Sequence, residues 1–140
     1  MKNEKLISIV IPIYNGAKYI SNIYTNIMNQ TYRPIELIFV NDGSKDDSEN
    51  VLKDIVKMHN CKSEIKIIIL SGPNGGIAVA RNRGMAASTG EYVMFADQDD
   101  WLEKDCVEKL MQVADLTDAD MVIGGFHKVN QKGEILETWS

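Results

Sequence analysis

Three aspartates crowd into one short segment, Asp97-Gln98-Asp99-Asp100, directly after an apolar run that has the length of a β-strand. Two carboxylates separated by one residue at a strand end can both turn toward a single cation. Oxygen donors of this kind suit a hard divalent ion, Mg²⁺ or Mn²⁺. With no cation present the carboxylates repel, and one of them tends to keep its proton. A diphosphate group is a fitting partner, because it can bind the far side of the metal, which then neutralises charge as the diphosphate departs. Arg81 is the other strong cation that the pattern brings to this region, on the first turns of a helix that follows a glycine-rich loop. Backbone N–H groups of Asn74 to Ile77, at the start of that helix, are expected to add anion-binding dipoles.

The elements that must position these residues alternate between strand-length apolar runs and segments of helical period, the pattern of a mostly parallel sheet with crossover helices. The first strand is expected over Leu6 to Ile13, apolar enough to be covered on both faces. Tyr19, Ile20, Ile23, Tyr24, Ile27 and Met28 repeat at helical spacing, with Tyr19 and Tyr24 read as core. Strand two follows at Glu36 to Val40. A helix carrying Val51, Leu52, Ile55 and Val56 comes next, capped by Ser44 or Asp47. Strand three is Ile65 to Leu70, and a small-residue helix spans Ile77 to Ala87. Strand four is Tyr92 to Ala96, followed by a helix carrying Leu102, Cys106, Val107, Leu110, Met111 and Ala114. A fifth strand is expected at Met121 to Ile123. Phe126 to Asn130 and Glu134 to Thr138 are expected to pair as a hairpin around Gln131-Lys132-Gly133.

In an open parallel sheet, ligands bind beyond the carboxyl ends of the strands. The unusual polar residues fall where this rule requires. Tyr14-Asn15-Gly16 follows strand one, Asn41-Asp42-Gly43-Ser44 follows strand two, Ser71 to Gly76 follows strand three, and the acidic cluster follows strand four. All four loops therefore belong to one edge of the sheet.

Composition narrows the function classes. A chain of 140 residues makes one α/β domain. A net charge of −5 with no Lys/Arg block argues against nucleic acid as a partner and against a basic membrane patch. No apolar run is long enough for a transmembrane segment, and no small-residue cleavage site follows the first strand. The expected location is the cytoplasm, with any contact to the inner face of a membrane made by parts beyond this chain. Cys61, Cys106, His59 and His127 lack the spacing of a zinc site. Cys106 reads as a small buried thiol on a helix face.

The segments Ile11-Pro12-Ile13-Tyr14-Asn15, Val40-Asn41-Asp42-Gly43-Ser44, Ala80-Arg81-Asn82-Arg83-Gly84 and Asp97-Gln98-Asp99-Asp100 resemble, in order and spacing, the successive motifs of the family 2 glycosyltransferases. The resemblance covers roughly residues 6 to 125. It implies a three-layer, Rossmann-like GT-A fold with strand order 3-2-1-4 at the centre of its sheet. It also implies a nucleoside-diphosphate sugar donor, UDP-sugar first, a divalent cation, and an acceptor hydroxyl on a saccharide or lipid-linked molecule. Carried over by position, Pro12, Tyr14 and Asn15 would wall the nucleotide pocket and Asp42 would hydrogen-bond the base. Asn74 and Arg81 would line the nucleotide site, Asp97 would approach ribose and metal, and Asp99 would bind the metal. The base that activates the acceptor lies, in this family, on the C-terminal side of the matching segment. The chain is read either as the donor-binding portion of a longer enzyme, the favoured expectation, or as a naturally shortened relative; the resemblance implies inverting chemistry.

Each motif also has a structural reading. Asp99 or Asp100 could cap a helix beginning at Trp101-Leu102, Asn41 to Ser44 is a good turn sequence, and Arg81 could be an ordinary surface arginine. Trp101 either packs on the core or flanks the sugar. The glycine-rich loop has neither the ending of a P-loop nor the order of a dinucleotide fingerprint. Rival functions are a sugar-nucleotide-binding module without activity, a nucleotidyltransferase, and a phospho-acceptor signalling domain. The last two expect a basic glycine-rich loop or an acidic pair after strand one, where Tyr14-Asn15-Gly16 stands.

Overall fold

The computed structural model describes residues 5–59 and 63–139; Cys61 and Ser140 lie outside the described residues. Four strands, β1 (Ile7–Ile13), β2 (Ile35–Asp42), β3 (Ile65–Gly72) and β4 (Tyr92–Phe95), form one parallel sheet in the order β3-β2-β1-β4. The helices are α1 (Ala17–Met28), α2 (Ser48–Met58), α3 (Ile77–Ala87) and α4 (Cys106–Thr117). A separate antiparallel pair, β5 (Phe126–Val129) and β6 (Ile135–Trp139), follows. The expected three-layer α/β arrangement and strand order are both present.

Alternation along each strand assigns side chains to the two faces. Ile7, Ile9, Ile11 and Ile13 of β1, with Ile35, Leu37 and Phe39 of β2, pack against Ile20, Ile23 and Ile27 of α1, Leu52 and Ile55 of α2, and Val107 and Met111 of α4. The intervening residues Val10, Ile38 and Val40 meet Ala80 of α3 on the opposite face. Most of these side chains have no solvent exposure, so burial of apolar area on both faces drives the layering. Small residues let α3 sit close to the sheet. A Cβ added to Gly84 would lie 2.2 Å from Val10 Cγ1 and 3.1 Å from Val40 Cγ2.

Several expectations need correction. Strand two runs on through Asn41 and Asp42, and strand three through Ser71 and Gly72, because the ladder continues between them: Asn41 pairs with Ser71 and Asp42 with Gly72. The helix after the acidic cluster starts at Cys106, not near Leu102. Two buried amides, Asn26 of α1 and Gln30 just past the end of that helix, explain the delay. Asn26 exchanges hydrogen bonds with the backbone of Leu102 (2.8 Å each way), and Gln30 donates to Glu103 O (2.8 Å) while accepting from Val107 N (3.1 Å). These bonds satisfy the backbone of an irregular segment that would otherwise need helical partners. Met121 to Ile123 forms no strand among the described residues; a short apolar run has no ladder partner beside it. The hairpin is present, its turn held by Asn130 Oδ1, which accepts from Lys132 N and Glu134 N. Cys106 is half-buried, and burial, followed by nearby Asp105 and Glu103, raises its thiol pKa. Tyr24 packs against the core, but Tyr19 only lies beside it, under Lys18 Nζ. Asp47 stands at the N-cap of α2 but makes no side-chain cap bond; its Oδ1 accepts from Asn50 Nδ2 instead.

Candidate functional site

The four strand exits do meet. A cleft of 340 Å³ lies beyond the carboxyl ends of the sheet, lined by residues from each of the four loops. Pro12 and Tyr14 come from the end of β1, Asp42 from β2, Asn74 from the glycine-rich loop, and Asp97 and Asp99 from the acidic turn. Ile13, Gly76, Ile77 and Gln98 complete the lining. A larger hollow of 560 Å³ lies at the other end of the sheet around Pro34, Val56, His59 and Lys66. It collects none of the strand-exit residues, so size alone is a poor guide to the chemistry here.

The loop conformations follow from local bonding. Asp42 is buried, and its carboxylate accepts from Gly75 N (2.9 Å), Gly76 N (3.0 Å) and Asn74 Nδ2 (3.3 Å). Arg83 Nη1 stands 3.9 Å away and also donates to Pro73 O. Asp42 therefore holds the glycine-rich loop in place, and a base contact would have to use its remaining acceptor capacity. The Gly75 and Gly76 N–H groups, expected as anion-binding dipoles, are already taken by this carboxylate.

Asn15 and Arg81 do not line the cleft. Asn15, with φ of 48°, exchanges bonds with the loop after β2, its N–H donating to Ser44 Oγ (3.0 Å) and its Oδ1 accepting from Lys45 N (2.8 Å). Gly16 N donates to Ser48 Oγ and Ala17 N to Asp46 Oδ2, so the N–H groups at the start of α1 are capped from the start of α2 and the turn before it rather than by a neighbouring side chain. Arg81 Nη2 sits 3.2 Å from Asp97 Oδ1, with its guanidinium carbon 5.9 Å from the centre of the Phe95 ring. Its buried Nε has no hydrogen-bond partner. Arg81 is thus paired with a site carboxylate, not an unattached surface arginine.

The acidic turn is closed by Asp100, not capped onto a helix. Asp100 N donates to Asp97 O (3.1 Å), and its carboxylate accepts from Asp97 N (2.9 Å). Burial pushes the Asp100 pKa up; the charges of Asp97 and Asp99 push the same way, against the Asp97 N–H and Arg81. Trp101 is 70% exposed and does not pack on the core. Asp97 and Asp99 offer two carboxylate donors to one cleft. Among the described residues no group of three or more His, Cys, Asp or Glu could hold a metal. Two carboxylates, with water and phosphate oxygens completing the shell, are the donor set that Mg²⁺-type sites commonly use.

The family model for glycosyl transferase family 2 matches residues 8–137. The chain belongs to glycosyl transferase family 2. It is 37% identical over 129 residues to glycosyltransferase GlyG of Streptococcus pneumoniae, covering 91% of this chain and 41% of that protein. It is 35% identical over 125 residues to GlyA of the same organism, covering 89% of this chain and 17% of that protein. A family 2 member of this length spans less than half of either relative. Among solved structures, S. aureus TarS in complex with UDP-GlcNAc superposes with a TM-score of 0.69 at 26% identity, over 81% of this chain and 32% of that one. The mannosyltransferase PcManGT of Pyrobaculum calidifontis, in complex with GDP-Man and Mn²⁺, superposes with a TM-score of 0.74. At 22% identity, over 93% of this chain and 37% of that one, it supports the GT-A fold alone.

Sequence reasoning gave no role to the Gln98 side chain, brought Gly76 and Ile77 to the site only through their backbone N–H groups, and missed Ser44, Asp46 and Ser48 as the braces behind the cleft. Position gave a signal for Gln98, which stands between the two aspartates assigned to the metal. The serines carry no signal, since their partners lie about thirty residues away in sequence.

Proposed function

We propose that this chain is the donor-binding part of a metal-dependent glycosyltransferase that moves a sugar from a nucleoside diphosphate to an acceptor hydroxyl. The observation that carries this reading is the convergence of Pro12, Tyr14, Asp42, Asn74, Asp97 and Asp99 on one cleft at the strand exits. Tyr14 and Ile77, both partly exposed there, offer apolar faces for the nucleoside, with Asp42 and Asn74 at its polar edge. Asp97 and Asp99 would hold Mn²⁺ or Mg²⁺, which when bound neutralises charge on the departing diphosphate. Arg81 orients Asp97 through their ion pair and adds positive charge behind the acidic turn. UDP is the nucleotide proposed first, supported by the TarS complex at 26% identity. The acceptor is a saccharide or lipid-linked hydroxyl, and the sugar inverts by in-line displacement.

The cleft's carboxylates among the described residues are Asp42, Asp97 and Asp99, and each already has a role. The acceptor site and the base that activates its hydroxyl are accordingly proposed to belong to a further part of a longer protein. That same observation favours one second reading, a donor-binding module without transfer activity. Any membrane contact is likewise proposed to belong to that further part; no helix among the described residues is long and apolar enough to cross a bilayer.

Calorimetric titration of UDP into the protein, first with Mn²⁺ and then with chelator, tests the donor site. Binding that depends on the metal is the expected result. Binding of GDP or dTDP instead would keep the class and change the nucleotide, and no binding of any of them by the folded protein would end this reading. Release of free sugar or a glycosylated product from a bound donor would exclude the inactive module.

A further inference from the structure

The ladder between β1 and β4 ends early. Its last paired residues are Val10 and Phe95, with one more bond from Ala96 N to Val10 O (3.1 Å), whereas β1 continues beside β2 as far as Ile13. Beyond that point the two chains part and become opposite walls of the cleft, Pro12 to Tyr14 on one side and Asp97 to Asp99 on the other. One side chain bridges the gap. Gln98 Oε1 accepts from Tyr14 N (3.0 Å), and Gln98 Nε2 donates to Tyr14 O (3.2 Å). Its amide supplies with a side chain the rung that the backbone ladder no longer provides.

Both bonds are needed to define the amide's orientation, because Tyr14 presents one backbone donor and one backbone acceptor. A glutamate would keep the acceptor, lose the donor, and add a further negative charge beside Asp97, Asp99 and Asp100. An asparagine would be one methylene too short. The neighbour across the gap is matched to this amide. Gly16 has φ −108° and ψ 18°, an ordinary backbone for any residue, so its own conformation does not call for glycine. A Cβ at position 16 would instead stand 2.2 Å from Gln98 Oε1 and 2.8 Å from its Cδ. Gly16 cannot easily retreat, since its N–H is held by Ser48 Oγ (3.0 Å).

We propose that Gln98 is a positioning residue for the donor, fastening the acidic turn to Tyr14 so that the nucleoside wall and the diphosphate wall keep their spacing, and that residue 16 is glycine to admit its amide. The proposal rests on the donor-cleft reading above.

The test is UDP titration with Mn²⁺ on the wild type, Gln98→Ala, Gln98→Glu, Gly16→Ala and the Gln98→Ala/Gly16→Ala double variant. Thermal midpoints and exchange of the Tyr14 amide are measured without nucleotide. Loss of the clasp should weaken UDP about tenfold in each of Gln98→Ala and Gly16→Ala, and more in Gln98→Glu. The double variant should be no worse than Gln98→Ala, since both changes break one contact. The Tyr14 amide should exchange faster in the single variants while the thermal midpoint holds. Wild-type UDP affinity in Gln98→Ala would overturn the proposal, as would additive losses in the double variant or an affinity loss that only follows a fall in the midpoint. If wild type binds no nucleoside diphosphate, the donor-cleft reading fails and takes this proposal with it. Wild-type binding with unaffected variants rejects the clasp alone.

Discussion

Glu36 and Asp99 are carboxylates at opposite ends of the same parallel sheet, and they are treated in opposite ways. Glu36, at the start of β2, is 1% exposed and fully answered. Its oxygens accept from Ser8 Oγ (2.8 Å), Thr89 N (2.8 Å) and Thr89 Oγ1 (2.7 Å), while Ser8 Oγ also accepts from Gly90 N. Burial pushes its pKa up, but the hydrogen bonds from Thr89 and Ser8 and the charge of Lys66 outweigh that and leave it below the usual value of 4.5. Asp99 is exposed in the cleft beside Asp97, and the carboxyl behind them, Asp100, has its pKa raised. A buried carboxylate whose acceptor sites are filled holds the chain together; here it ties the α3–β4 connection to β1 and β2. Carboxylates gathered in a cleft with few donors around them are poised to receive something from outside.

That contrast can be broken by exchanging which property each substitution damages. Asp99→Asn should reduce Mn²⁺-dependent UDP binding by about a hundredfold, since it removes a proposed metal ligand, and leave the thermal midpoint where it was. A fall in the midpoint with binding intact would reverse the assignment. Glu36→Ala should do the opposite. It strands the buried Ser8 hydroxyl and takes away the acceptor of the Thr89 N–H and hydroxyl, costs about 2 kcal/mol, and lowers the thermal midpoint by roughly 5–10 °C, with UDP affinity of the folded protein unchanged.

The pH dependence sharpens the comparison. Because the folded pKa of Glu36 is depressed, its stabilising share is complete above the usual 4.5 and is lost as pH falls through the folded value. Urea midpoints from pH 6 to 3 should fall less steeply in Glu36→Gln than in the wild type. Asp100 has the opposite sign. The folded state holds its proton more tightly, so ionising it costs stability as pH rises above the usual 3.8. Asp100→Asn keeps an acceptor for the Asp97 N–H and should raise the metal-free midpoint slightly at neutral pH. That gain should shrink on acidification, and it is the smallest effect of the set.

Much of the fold could be read from the residues. Strands covered on both faces read as apolar runs, so β1 to β4 and their crossover helices stood out, and parallel topology then gathers all four strand exits at one edge. The same logic put Tyr14, Asp42, Asn74, Asp97 and Asp99 in one place, and the family resemblance added Pro12. Several of the errors share a cause, a backbone group whose partner is far away in sequence. The start of α4 was misplaced because the buried amides Asn26, on α1, and Gln30, just after it, satisfy the backbone from Leu102 to Val107. Glu36 carried a legible signal, a charge inside an apolar strand, but not the identity of its partners Ser8 and Thr89.

Residue types and their period thus determined the class of the fold, the edge that carries the chemistry and the aspartates suited to a cation, because these depend on local pattern and on the geometry common to parallel sheets. Only the tertiary structure decided how each polar group is used. It turned Asp42 toward the glycine-rich loop, Asn15 toward the loop after β2, Arg81 onto Asp97 and Gln98 across to Tyr14. Hydrogen bonds are short and directional, and their partners here lie 16 to 84 positions apart, beyond the reach of any periodicity.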